Sequence, residues 1–551
     1  MIWRVLPSGD YENSTLLYVL EKYASLGSYL AQHSFAAMEL LVAAGFQISH
    51  STVHTSMRTV EELVRWLDGL FGSTETSQAV SAVLALAHRE INRDSIDNEA
   101  GLIQTVGRLL GVVRVVVLFA FLQAVTYERM PLPTNPVVDS QFQPQSPYGT
   151  FQIFPLQPLV FNVAHFSRYA TAAYGKQFMT ILGIKPKLQK QLQEEAFTNH
   201  VSFAHHTNIR LEDILFSSEP SIIDLPPAPG LHALVHYIIA DHKLKCIVLT
   251  LRGTLGLSDT LTDMLCDYSD IPLPQQRGGF KTHSGMLESA RMIADQSSVV
   301  HQELLAALNR YKGYGLILCG HSLGGGVASL LSVFWATPVP KPKLVKRPQH
   351  LGVAGDDEVA PDTFTLPGPM FVTSKSSGLP RGRPIHCFAY AVPCVASTPL
   401  LQYTRLGLVT SVASYSDIVT TLSLGLLHDF KVVAATLAQE NVGVAESIIR
   451  KVVETQKKRV SLHEWFWALI CSMRTEMGHE KLYPPGEVYY MEDVARYATD
   501  YGNPDMVLFR CLDVQSRFGE IRFSRGMFLQ HNPGVYEDRI ESIVNKLPLG
   551  L

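Results

Sequence analysis

The run Gly320-His321-Ser322-Leu323-Gly324 sets a serine among small residues. Apolar Leu316 to Cys319 precede it, and the helix-compatible stretch Gly324 to Trp335 follows. Strand, sharp turn and helix is the setting that lifts a serine hydroxyl clear of the backbone, above a helix N-terminus. Such a hydroxyl is a weak nucleophile at neutral pH. Acyl transfer through Ser322 requires a histidine to take its proton and a carboxylate to orient that histidine.

The order along such chains is serine, acid, histidine, so both partners are sought downstream. Asp417 sits just past the apolar run Leu406 to Val412, where a strand is expected to end. The downstream histidines are His428, His463, His479 and His531. His531 follows two short apolar pieces, GEIRF and GMFLQ, read as a final hairpin, and precedes the helix-like YEDRIESIV. A loop between the last strand and the last helix is the place for the base. The other three histidines read as surface or packing residues.

Acyl transfer also needs donors for the developing oxyanion. The Leu323 backbone N–H, next to the nucleophile, supplies one. CIVLTLRGT brings Gly253-Thr254 to the end of an earlier strand, where Thr254 offers a backbone N–H and a hydroxyl. This chemistry calls for no metal or cofactor, and no CxxC or Cys/His cluster with zinc spacing occurs.

These groups need a scaffold. CIVLTL (Cys246 to Leu251), LILC (Leu316 to Cys319) and HCFAYA (His386 to Ala391) read as buried strands. Amphipathic stretches such as Gln302 to Tyr311 lie between the first two. Alternation of this kind predicts a mostly parallel sheet covered on both faces, an α/β fold. Residues 1–130 carry helical periodicity, as in Leu16, Leu20, Tyr23, Leu26 and Leu30, and form an N-terminal helical elaboration. Residues 131–150 are rich in Pro, Ser and Gln and read as a linker before a catalytic domain at 151–551. Dense prolines mark 336–384 as a surface insertion, expected to be disordered.

Composition narrows the partners. The 551 residues are 46% hydrophobic and only 17% charged, with a net charge of −4. This excludes a disordered chain and argues against nucleic acid, which attracts a basic balance. Seven cysteines and no basic-then-apolar leader point to a reduced, intracellular protein. Leu109 to Tyr127 is long enough to span a bilayer, but Arg114 lies inside it. A buried or interfacial helix is the preferred reading, with an integral segment the alternative. In EWFWALI, Trp465, Phe466 and Trp467 read first as core packing and second as the border of an acyl pocket.

Taken together, LTLRGTLGLSDTLTDM, THSGM, LILCGHSLGGGVASLL, SYSDIVTTLS, EKLYPPGEVYYM and FLQHNPGVYEDRI, in that order, resemble the class 3 lipases. The nearest resemblance is to the fungal sn-1-specific diacylglycerol lipase-like branch, and it covers about residues 150–551. It implies an α/β-hydrolase acting on di- or triacylglycerol, a substrate met at a membrane or lipid-droplet surface, where the reading of Leu109 to Tyr127 favours peripheral attachment. It implies Ser322 as nucleophile, Asp417 as acid, His531 as base, and Thr254 with Leu323 as oxyanion hole. Asp259 and Asp263 match supporting acidic positions, and a lid is implied between Thr254 and His283. The insertion after the nucleophile helix resembles a regulatory insert. Two departures stand out: Gln530 replaces the Asp that often precedes the base, and four clear N-terminal membrane helices are missing. The same three residues also suit a phospholipase A1 or galactolipase. A catalytically inactive lipid-binding or membrane-scaffolding protein of this fold is the reading from another class.

Overall fold

The structure is a computed structural model. It describes residues 159–176, 179, 199–218, 234–254, 267–273, 279–339, 370–439, 463–493 and 506–545, save 415–416 and 525. Before these it describes residues 136–137 and helical positions between 112 and 126. The helical readings at 16–30 and 60–70, and Asp259 and Asp263, lie outside the described residues.

The strands are β1 (Pro136–Val137), β2 (Ile214–Ser217), β3 (His236–Asp241), β4 (Cys246–Leu251), β5 (Tyr268–Asp270), β6 (Lys281–His283) and β7 (Gly315–His321). They continue with β8 (Ala336–Pro338), β9 (Phe371–Thr373), β10 (Ile385–Tyr390), β11 (Val409–Ser414), β12 (Glu487–Asp493) and β13 (Met506–Arg510). The main sheet has nine strands in the order β1-β13-β12-β11-β10-β7-β4-β3-β2. Its five central members, β12-β11-β10-β7-β4, are parallel, and antiparallel strands flank them on both sides.

Parallel strands joined by helical crossovers are covered on both faces, so their sequences are apolar throughout. Every residue of β3, β4, β7, β10 and β11 is buried. Alternation still decides which face each side chain meets. Ile247, Leu249, Leu316, Leu318 and Cys387 join one apolar cluster, with helices α3 (Ser284–Ala294), α4 (Val299–Arg310), α5 (Leu323–Trp335) and α6 (Thr398–Thr404). Val248, Ile317, Cys319 and Phe388 join the other, with α1 (Leu159–Ala172), α2 (Asn199–Thr207) and α10 (Pro533–Val544). The result is the mostly parallel sheet covered on both faces that the strand pattern predicts, in keeping with the α/β-hydrolase fold that the resemblance implies.

A third cluster lies apart from the sheet. It is built from helical residues between 112 and 126, α7 (Leu424–Gln439) and α8 (His463–Thr475). Val112, Val115, Val116, Phe119 and Leu122 are all buried there, and Phe119 meets Phe430 edge-on. Their spacing is one helix face. The apolarity of this segment is thus spent inside the protein. Among the described residues no helix is long and apolar enough to cross a membrane. Phe466 is buried in the same cluster, with Trp465 and Trp467 packed against it, the core role expected for them.

Three sequence expectations differ from the structure. Pro136–Val137, inside the expected linker, pairs with β13 as an edge of the main sheet. The expected disordered segment 336–384 is ordered at both ends: β8 pairs with β9 to form a stem, and residues 370–384 are described. Residues 340–369 lie outside the described residues. The expected hairpin before His531 is absent. The last strand is β13, followed by the short helix α9 (Val514–Phe518), extended chain and a 3-10 turn at Leu529–His531. Residues 521–524 pair with no strand, and Gly526, at φ 76°, opens the turns that lead to His531.

Candidate active site

Ser322 stands between the end of β7 and the start of α5, with φ 57° and ψ −128°. A serine in that left-handed region is strained, and such strain persists only where the surroundings enforce it. Two glycines allow it here. A Cβ on Gly320 would lie 2.5 Å from the Gly324 carbonyl carbon and 2.7 Å from the Leu251 carbonyl oxygen. A Cβ on Gly324 would meet the Leu251 carbonyl group and come within 2.8 Å of the Arg252 carbonyl carbon. Helix α5 therefore starts directly against the end of β4, which a side chain at either position would prevent. The Ser322 N–H donates to the Tyr390 carbonyl at 2.8 Å, fixing the turn to β10.

The three residues singled out for chemistry meet. Ser322 Oγ and His531 Nε2 are 2.8 Å apart. His531 Nδ1 lies 3.0 Å from Asp417 Oδ2 and 3.2 Å from Oδ1. All three are buried. Asp417 comes from the loop after β11, and its Oδ1 also accepts the Val419 N–H at 2.9 Å. His531 precedes α10, whose Asn532 N-cap accepts the Gly534 N–H at 2.8 Å. With Nδ1–H donated to the carboxylate, Nε2 is left to accept the serine proton. The arrangement can transfer a proton from Ser322 while a carboxylate balances the imidazolium.

Thr254 and Leu323 bracket the serine. A Cβ on Gly253 would come 3.0 Å from Ser322 Cβ, so the residue before Thr254 packs on the elbow. The Thr254 hydroxyl is buried and has no partner among the described residues. Buried hydroxyls are ordinarily satisfied, and one left open beside a nucleophile can donate to a bound oxygen. Leu323 opens α5, and an N–H in a first helical turn has no intrahelical acceptor.

Several contacts were not legible in the sequence. Tyr536 Oη donates to Asp417 Oδ2 at 2.7 Å and accepts the Ser414 N–H at 2.7 Å. Tyr174 Oη and His321 Nδ1 are 2.9 Å apart, and the Tyr174 hydroxyl also takes the Gly253 N–H. The His321 ring lies 4.9 Å from the His531 ring. Burial, and secondly the charge His531 carries when protonated, hold His321 well below the usual imidazole range. His321 is therefore a neutral neighbour of the base. Gln530, in place of the expected Asp, accepts from Ser414 Oγ at 3.4 Å. No periodicity marks these residues, because each acts across more than 100 residues of chain. Of the other histidines, His479 Nδ1 binds Asp429 at 3.0 Å, and the His428 and His479 rings pack together. The thiols of Cys246, Cys319, Cys387, Cys394 and Cys511 are free and buried.

Residues 248–354 match the family described as Lipase (class 3), a span that runs from β4 through the elbow. Over that span the chain is similar to the class 3 lipases. Among similar proteins, diacylglycerol lipase-alpha of Rattus norvegicus is 25% identical over 337 residues, covering 57% of this chain and 28% of the relative. A lipase of Rhizopus niveus is 31% identical over 152 residues, covering 27% of this chain and 35% of the relative. The chain thus matches about a third or less of the length of these two relatives. The solved triacylglyceride lipase of Rhizomucor miehei aligns over 68% of this chain and 92% of its own, at 14% identity and a TM-score of 0.34.

Proposed function

We propose that the protein is a class 3 lipase that hydrolyses acylglycerol esters through an acyl-enzyme on Ser322. The observation that carries the reading is the unbroken line from Ser322 Oγ through His531 to Asp417, with contacts of 2.8 and 3.0 Å. His531 Nε2 takes the hydroxyl proton as Ser322 Oγ attacks the ester carbonyl. The Leu323 and Thr254 donors hold the oxyanion that forms. Collapse breaks the ester bond, and the imidazolium returns its proton to the departing glyceryl oxygen. Water then loses a proton to His531, attacks the acyl carbonyl and releases the fatty acid, restoring Ser322. Asp417 keeps His531 in one tautomer and balances its charge throughout.

An acylglycerol suits the surroundings of the site. Ile418 and Val419 follow the acid, and Met527 and Phe528 precede the base; all four belong to the apolar helical cluster. Leu529, two residues before the base, is 60% exposed. The names of the relatives, diacylglycerol lipase-alpha and lipase, favour the same substrate class. The substrate would reach the site from a membrane or lipid-droplet surface, with the protein held peripherally.

The test is Ser322→Ala. Turnover of nitrophenyl esters and of diacylglycerol is expected to fall by about 10⁴-fold or more, the usual size for a lost nucleophile. Labelling by a fluorophosphonate probe should vanish with it, while the melting temperature holds. Full activity in the variant would overturn the mechanism. Parallel assays on diacyl-, triacyl- and phosphoglycerides separate the lipase reading from a phospholipase.

A further inference from the structure

We propose that Tyr536 is a positioning residue for the acid, fixing the Asp417 carboxylate for His531 and setting how firmly that carboxylate holds a protonated imidazole. This rests on the reading of Ser322, His531 and Asp417 as a proton relay. Both carboxylate oxygens are occupied: Oδ1 by the Val419 N–H at 2.9 Å, Oδ2 by His531 Nδ1 at 3.0 Å and by the Tyr536 hydroxyl at 2.7 Å. A carboxylate held on both oxygens cannot rotate away from the base.

Base and brace come from one short segment. His531 ends a 3-10 turn, Asn532 caps α10, and Tyr536 lies in that helix's first turn. The helix start therefore presents two side chains, five positions apart, to the same carboxylate oxygen. The Ser414 N–H donates to the Tyr536 oxygen at 2.7 Å, which aims the phenolic proton at Asp417. Three positions further, Arg539 donates to the Ser414 hydroxyl and ties α10 to the end of β11.

Burial first, and Asp417 second, push the Tyr536 hydroxyl well above the usual phenol range, so it remains a donor wherever the enzyme works. Among the described residues, the titratable and charged groups around the acid and base are His321 on β7 and Tyr536 and Arg539 on α10. His321 is neutral, as above, and Arg539 donates to the Ser414 hydroxyl. A bond donated to a carboxylate spreads its charge and weakens its attraction for a cation. Tyr536 thus trades some hold on the imidazolium for a fixed geometry, leaving the base free to release its proton to the leaving group.

The experiment compares Tyr536→Phe with the enzyme carrying 3-fluorotyrosine at position 536. In Tyr536→Phe, kcat should fall about tenfold with KM unchanged, the scale of one hydrogen bond to a charged group. The acid limb of its kcat/KM profile should move to higher pH, because the carboxylate then holds the imidazolium more firmly. Fluorination keeps the ring and the hydroxyl but strengthens the donor, so its acid limb should move to lower pH. Acid limbs that coincide with wild type in the fluorotyrosine enzyme would overturn the proposal, even where Tyr536→Phe fails to fold. The Nδ1 proton resonance of His531 gives a readout independent of turnover, and it should shift in opposite directions in the two variants. A wild-type enzyme with no turnover and no fluorophosphonate labelling would instead sink the lipase reading, with that resonance still deciding the role of Tyr536.

Discussion

The sheet with its elbow and the helical cluster beside it are both apolar, yet they are held in different ways. At the elbow the chain has no spare room: Gly320, Gly324 and the Leu251 carbonyl group occupy the space a single methyl group would need. In the helical cluster, polar clamps join segments far apart in sequence. The Gln123 amide donates to the Ile521 carbonyl at 2.7 Å and accepts the Phe523 N–H at 3.2 Å, linking residues 398 and 400 positions apart. Arg474 on α8 adds a two-pronged bond to Glu520 at 2.8 and 2.9 Å. The segment so clamped, 520–523, leads to the loop that carries His531. Steric closure therefore sets the nucleophile, while long-range clamps bear on the approach to the base.

Three substitutions probe that contrast. Gly324→Ala should be the most damaging, since its new methyl group meets backbone that cannot move aside. A loss of more than about 3 kcal/mol, at the upper end for overpacking, is expected as a collapse of the melting temperature or of soluble yield. A well-folded Gly324→Ala protein would show that the elbow has slack. Thr254→Val should separate chemistry from stability in the same region. Among the described residues its hydroxyl has no partner to lose, so the melting temperature should hold or rise. Turnover should nevertheless drop by about 10²-fold, the cost of one oxyanion donor. Unchanged kcat would remove the hydroxyl from the proposed oxyanion hole and leave only the backbone N–H. Gln123→Ala should act least. Orphaning the Ile521 carbonyl and the Phe523 N–H costs about 1 to 3 kcal/mol. That loss is expected in chemical unfolding, with a fall in kcat smaller than that of Thr254→Val. If both stay at wild-type values, the 112–126 segment is a passive cover and the contrast between the regions fails.

Much of the sheet was readable because a buried parallel strand has to be apolar on both faces. CIVLTL, LILC and HCFAYA fall on β4, β7 and β10. The nucleophile turn was readable because only small residues fit a helix so close to a strand. Asp417 and His531 were placed by chain order and by their position after a strand and before a helix. Their meeting with Ser322 is consistent with that logic, although the hairpin expected before His531 is a loop and a 3-10 turn. GEIRF and GMFLQ are apolar enough for strands, but their side chains serve packing instead: Ile521, Met527 and Phe528 are buried in the helical cluster. Apolar content reports burial and does not choose between a ladder and a packed loop.

The same ambiguity governed Leu109 to Tyr127. Its hydrophobicity suits lipid or protein equally, and the low charge of the whole chain left the choice open. Its buried face against α7 and α8 supplies the protein partner.

By itself the sequence determined the elements whose physics is local: strands that bury both faces, a glycine-flanked turn, helices with one apolar stripe, and the chemical types able to move an acyl group. Only the tertiary structure decided what depends on pairing distant segments. Tyr536 bracing Asp417, Gln530 reaching Ser414, Tyr174 joining the Gly253 loop to His321, and Gln123 clamping residues 521 and 523 belong to that second kind. The reason is that a single hydrogen bond leaves no periodic mark in a sequence. It comes into being when folding brings its two ends within three ångströms or so, the ordinary reach of such a bond.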